Sequence, residues 1–234
     1  MGELVQRLGT GGVGLAEILD SLAEAVTIRN PQYHIVTGRG VEAVAMTSLV
    51  RHGARLLSTR ERSPSRILAS LDEALREQSG LSLCTALCVR LEGDRFVMGS
   101  AGHPPPLVVR DDGRVREIGG SGPLLGGWEG SAWEERTVSV QEGETLLMYT
   151  DGVTDTRGDD ERFGSARLRR VLAEHAGEGP RELLAALEAA LDRFQTEGHS
   201  DDTGAVALRP ALAGAHTARA GEHASVGAGE SLSG

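Results

Sequence analysis

Between Leu81 and Thr150 the chain is a succession of short apolar runs, each too brief for a helix and each closed by turn residues. "LSLCTALCVRL" meets Gly93-Asp94; "RFVMGSA" meets the "GHPPP" corner; "LVVR" and "RVREI" flank Asp111-Asp112-Gly113; "EERTVSV" and "ETLLMYT" flank Glu142-Gly143. Apolar runs of this length between such turns are strands joined antiparallel. The expectation is a meander of consecutive hairpins, with "ETLLMYT" as a late strand.

On either side the period changes. Val41, Val44, Ala45, Ser48, Leu49 and Leu56 recur at helical spacing, with Gly53 as a local weakness. Ser63 and Pro64 form an N-cap and a first-turn proline, ahead of a stripe of Ile67, Leu68, Leu71, Ala74 and Leu75 that ends near Gly80. Phe163, Leu168, Val171 and Leu172 predict a third helix, and Pro180 opens a fourth through Leu183, Leu184, Leu187, Ala190, Leu191 and Phe194. The short apolar "TGAVALR" closes the pattern as a last strand. Helices, a run of strands, then helices and a strand predict an α+β domain whose helices cover sheet faces. With 234 residues, one core is the default.

The net charge of −10 argues against nucleic-acid binding, which needs a basic face, and makes a cation the expected charged ligand. Cys84 and Cys88 alternate with Thr85, Leu87 and Val89 on a strand buried on both faces, so we read them as small hydrophobes rather than a disulfide or metal pair. No apolar run approaches the length of a membrane span, and a cytoplasmic protein is expected. Residues 210–234, almost entirely small and polar, have too little apolar surface to order and are expected to be a disordered tail. "GTGGVG", Gly9–Gly14, has the spacing of a dinucleotide fingerprint but lacks the strand before it and the acid about twenty residues after it, so no nucleotide site is assigned.

The chemistry concentrates in "LLMYTDGVTD". A carboxylate at the mouth of an apolar strand is costly to desolvate unless paired or bound to metal, and Gly152 behind Asp151 allows a sharp turn. A strand-ending turn in which Asp151 accepts backbone bonds is the equal alternative. "HSDDTGAVAL" places Asp201 and Asp202 before the closing strand, where adjacent carboxylates repel and a cation would relieve both them and Asp151. An Asx turn remains the structural alternative there. Hard oxygen donors without His or Cys suit Mg²⁺ or Mn²⁺. His103, at a corner stiffened by Pro104, Pro105 and Pro106, reads either as a proton donor or outer partner of the site, or as a ring packed at a rigid turn.

In order, "TGRG", "AGHPPPLVVRDDG", "GPLLG", "GETLLMYTDGVTD", "RFG" and "SDDTGAVAL" resemble the metal-dependent PPM protein phosphatases. The similarity runs from Val36 to Arg209 and is closest to the bacterial branch of the stage II sporulation phosphatase and the stress-response phosphatases that act on anti-sigma-factor antagonists. It implies an αββα sandwich of two antiparallel sheets flanked by helices, and two Mn²⁺ or Mg²⁺ ions held by aspartates at strand ends. It further implies hydrolysis of phosphoserine or phosphothreonine on a regulatory protein. Asp151 matches the metal-binding aspartate of the family's T-D-G motif, and Asp201 that opening its D-D motif. Gly152, Asp155, Asp202 and His103 are carried over as neighbours of the site without ligand roles.

The family's G-D-x-Y-D motif, whose aspartate bridges both metals, has no counterpart, and His34 and Ile35 stand where the Gly-Asp before "TGRG" is expected. We therefore expect residues 1–35 to be an atypical segment, two N-terminal strands to be missing, and the open edges to favour a homodimer. Two readings follow: a serine/threonine phosphatase with impaired metal binding, or a catalytically silent phosphatase-like module that binds a protein partner.

Overall fold

The computed structural model describes residues 25–29, 32–37, 40–77, 83–92, 95–195 and 203–209, with side chains from Leu49 onward. Strands β1 (Ala25–Arg29) and β2 (Gln32–Thr37) form a hairpin, and helix α1 (Gly40–Leu57) follows. The expectation of two missing strands is thus corrected. β1 and β2 pair in register from Ala25↔Val36 to Arg29↔Gln32, and β2 pairs with β3 (Thr85–Glu92). Strand formation asks for β-branched residues and a ladder partner, which "AVTIR" and "QYHIVT" satisfy, whether or not an acidic motif is present. Among the described residues the sheet therefore includes strand from Ala25, ahead of Val36.

Helix α2 (Pro64–Arg76) starts as its cap signals dictate: Ser63 is extended, and its Oγ accepts from the Arg66 N–H. Its inner face is Ile67, Leu68, Leu71 and Leu75, but Asp72 is buried with them while Ala74 is exposed. Asp72 accepts the Gly126 N–H at 2.7 Å and pairs with Arg76 at 3.0 Å, which satisfies the carboxylate inside. In α1 the stripe is likewise shifted: Val50 and Ala54 are buried, whereas Leu56 is 69% exposed.

The first sheet has the order β1-β2-β3-β4-β7, with β4 Arg95–Ala101 and β7 Arg136–Ser139; the second is β6-β5-β8-β9, with β5 Leu107–Val109, β6 Val115–Glu117, β8 Thr145–Tyr149 and β9 Ala205–Leu208. Every pairing is antiparallel. The simple meander is corrected: after β4 the chain crosses to the second sheet, returns for β7, and crosses again to β8, which lies centrally between β5 and β9. Pro104–Pro106 explain the first crossing, because three residues without N–H groups cannot extend the β4 ladder.

Alternation along each strand then builds three apolar layers. Cys84, Ala86 and Cys88 pack with α1 and α2; Leu87, Val89, Phe96, Met98, Leu146, Met148 and Val206 fill the space between sheets. Leu147, Tyr149, Ala205 and Ala207 meet helices α4 (Gly164–Glu174) and α5 (Pro180–Phe194). Each fully buried Leu, Phe or Met in these layers stabilises by roughly 1.5–3 kcal/mol. The result is the αββα sandwich. Both cysteines are free and buried, and desolvation pushes the Cys84 thiol up to about 12 and Cys88 higher still.

Candidate active site

The end of β8 is built by a threonine. Thr150 is 1% exposed and continues the β8–β9 ladder one step beyond the strands: its N–H donates to the Gly204 carbonyl at 2.9 Å, and the Gly204 N–H donates to Thr150 Oγ1 at 2.9 Å. A buried hydroxyl needs a partner, and here that need ties the two strand ends together. The chain then turns at once into the short helix α3 (Asp151–Asp155), so Asp151 stands exposed on its first turn. Its carbonyl accepts from Thr154 Oγ1 at 3.0 Å, and among the described residues no cation pairs with its carboxylate.

The other carboxylate of the motif is engaged. Asp155 Oδ1 receives Arg162 Nη1 at 2.7 Å, and the Phe163 N–H donates to the Thr156 carbonyl at 2.8 Å, so these contacts brace the loop that follows α3. Gly152 is buried with helical backbone rather than in a left-handed turn; its carbonyl accepts both the N–H and Oγ1 of Thr156, at 2.9 and 2.8 Å. Asp201 and Asp202 lie outside the described residues. Thr203 and Gly204, which follow them, enter β9 directly beside Thr150.

His103 is in the core, 2% exposed, with Nδ1 3.3 Å from Thr85 Oγ1; its carbonyl accepts Ser100 Oγ at 3.2 Å. Among the described residues Nε2 has no hydrogen-bond partner of normal geometry. Burial lowers the ring's pKa to about 4, although the Tyr149 backbone pulls the other way, so the ring is neutral at pH 7. A ring so enclosed packs the corner; a proton donor to substrate needs access it lacks.

Thr150, Gly204 and Arg162 were not singled out from the sequence. The signal for the first two was the threonine closing the apolar strand and the glycine after "DDT", a pair that becomes meaningful only once β8 and β9 are adjacent.

Asp151 offers hard oxygen donors, and that chemistry fits Mg²⁺ or Mn²⁺. Among the described residues no three His, Cys, Asp or Glu side chains gather to complete a site. Further donors would have to come from residues outside them, Asp201 in particular. β2, where the sequence resemblance expects Gly-Asp, carries His34 and Ile35 in register with Cys88 and Leu87.

The comparisons with known proteins agree with this architecture. The family profile of "Stage II sporulation protein E (SpoIIE)" matches residues 36–210. Phosphoserine phosphatase RsbU of Bacillus subtilis (strain 168) is 21% identical over 178 residues, which are 74% of this chain and 53% of RsbU. The chain spans about half the length of the curated relatives it matches. Among solved structures, the SiaA-PP2C domain of Pseudomonas aeruginosa superposes with a TM-score of 0.69 at 24% identity, covering 80% of each chain. The catalytic domain of the serine/threonine protein phosphatase PstP, in complex with 2 manganese ions, has a TM-score of 0.56 at 15% identity, covering 79% of this chain and 89% of that one. A profile match over most of the sequence, on a fold of two antiparallel sheets between helices with Asp151 at a strand mouth, means that this chain belongs to the SpoIIE family of PPM-type phosphatases.

Proposed function

We propose that the chain hydrolyses phosphoserine or phosphothreonine on a regulatory protein, such as an anti-sigma-factor antagonist, with Mn²⁺ or Mg²⁺ bound at Asp151 and Asp201. The observation that carries this reading is the exposed Asp151 carboxylate, without a cationic partner among the described residues, at the closed β8–β9 mouth of a SpoIIE-family domain. Lewis-acid polarisation of the phosphoryl group is the chemistry that such ions supply when bound. The chain's own part is placement. The reciprocal Thr150–Gly204 bonds fix where β8 stops, the Gly152–Thr156 bonds fix the turn of α3, and the Asp155–Arg162 pair stops Asp155 from competing for the same cation. The net charge of −10 suits cation binding, and we place the protein in the cytoplasm. Among the described residues no helix is long and apolar enough to cross a membrane.

His34 and Ile35, standing where the family resemblance expects Gly-Asp, favour the second reading of a silent binding module. Removing an anionic ligand from a two-metal centre leaves cation–cation repulsion less compensated. Titration calorimetry with Mn²⁺ separates the two, run beside phosphate release from a phosphoserine protein. Metal binding and turnover that both disappear in Asp151→Asn support the phosphatase; no binding up to millimolar Mn²⁺ overturns it in favour of the module.

A further inference from the structure

A cavity of about 200 Å³ opens at the β4–β7 edge, away from the Asp151 turn in the sequence and built by other residues. Its lining is mixed: the buried Leu87 and Met98 from the layer between the sheets reach it together with Pro106 and Ser100. Its rim is a glycine loop, Gly119-Gly120-Ser121-Gly122, with Arg136 packed beside Gly120 and Glu134 also lining the cavity. The loop cannot be replaced by bulkier residues without disturbing this rim. Gly119 has φ +91°, a Cβ on Gly120 would stand 3.1 Å from Arg136 Nε, and one on Gly122 would stand 2.4 Å from the Ser100 carbonyl oxygen.

The hydrogen bonding gives the rim its character. Among the described residues, none of the N–H groups of Gly119, Gly120, Ser121 and Gly122 has an acceptor within the chain. Among the described residues the Arg136 guanidinium pairs with Glu134 Oε2 alone, at a long 3.5 Å, on side chains 55% and 85% exposed. The loop and the Arg136 guanidinium line the same cavity, and both amides and a guanidinium are donors that an oxyanion accepts from. An Arg at the start of edge strand β7 also discourages pairing with another chain, a role that needs neither the cavity lining nor the glycine rim.

We infer that this cavity binds a small organic oxyanion, a carboxylate or phosphate-type group carried on a short apolar stem. The stem lies against Leu87, Met98 and Pro106, and the anionic group meets Arg136 and the loop amides. Glu134 competes for Arg136 and so limits affinity. The site is independent of Asp151.

The test uses the full chain in EDTA, titrated with phenylphosphonate and followed by amide NMR at the rim glycines together with calorimetry. Saturable binding is expected, with downfield shifts of the Gly119, Gly120 and Gly122 amides and tighter binding than for inorganic phosphate. Arg136→Met should weaken it at least tenfold, Glu134→Gln should tighten it about two- to threefold, and Asp151→Asn should leave it unchanged. Glu134→Gln, at an exposed position, keeps the test decisive if Arg136→Met fails to fold. No saturable binding, an affinity indifferent to both Arg136→Met and Glu134→Gln, or binding lost in Asp151→Asn would overturn the assignment.

Discussion

His103 should make this fold acid-labile. In the native protein its ring is 2% exposed, its Nε2 has no hydrogen-bond partner of normal geometry among the described residues, and burial lowers its pKa to about 4; in the unfolded chain it returns to 6.5. Below pH 6.5 the unfolded state takes up a proton that the folded state refuses, so stability falls as pH drops through the interval from 6.5 to 4. Integrating one proton over that window gives a loss of about 2 kcal/mol by pH 5 and about 3 kcal/mol by pH 4, relative to pH 7.5. Carboxylates held below their usual range, such as Glu135 and Glu61, lose stability in the same direction at lower pH, so the wild type alone does not isolate the ring. His103→Leu keeps comparable bulk and removes the titration. Urea denaturation of both proteins at pH 7.5, 6, 5 and 4.5 gives the difference between their stabilities at each pH. That difference should shift in favour of the variant by about 1.1 kcal/mol per pH unit between pH 6 and pH 4.5. Parallel curves for the two proteins would refute the claim that His103 stays neutral in the core.

Asp72→Ala should destabilise by about 3 kcal/mol, because it strands the buried Gly126 N–H and the Arg76 guanidinium; thermal melting should fall by roughly 6–12 °C. An unchanged midpoint would mean that loop 124–127 is not held through Asp72. Gly102→Ala should cost about 1–3 kcal/mol, since Gly102 sits at φ +65° and a Cβ there would stand 2.3 Å from Leu124 Cδ2. Chemical denaturation measures it, and a neutral result would argue against the left-handed corner. Neither Cys84 nor Cys88 should react with a disulfide reagent at pH 8 until the chain unfolds, because burial pushes both thiols up. Rapid labelling of the native protein would show that the layer under α1 and α2 is open.

How much of this was legible beforehand differs from element to element. The strands announced themselves through alternation: Cys84, Ala86 and Cys88 face one layer and Leu87 and Val89 the other, as a period of two requires. The helix cap at Ser63-Pro64 is a local interaction and was equally readable. The stripes erred by one position where burial depends on a distant partner. Asp72 replaces Ala74 inside because the Gly126 amide, far along the chain, needs an acceptor there. The crossing between sheets was hidden as well: β5 after β4, and β7 back beside β4, are both short strands after turns, and nothing local says which neighbour each will choose. The β1–β2 hairpin was missed because the absence of an acidic motif was taken for the absence of strands, although a ladder needs backbone partners rather than carboxylates.

The same division holds at the site. Sequence alone determined the strand-then-acid order at Asp151, the second acidic pair before the closing strand, and the family to which that order belongs, because these depend on residue types at fixed spacing. Only the tertiary structure decided that β8 and β9 are neighbours locked by Thr150 and Gly204, that Arg162 claims Asp155 while Asp151 has no cationic partner among the described residues, and that His103 is sealed in the core. Each of those outcomes depends on which groups are left with no better partner once the sheets have packed, and that competition is settled across the whole fold rather than along the chain.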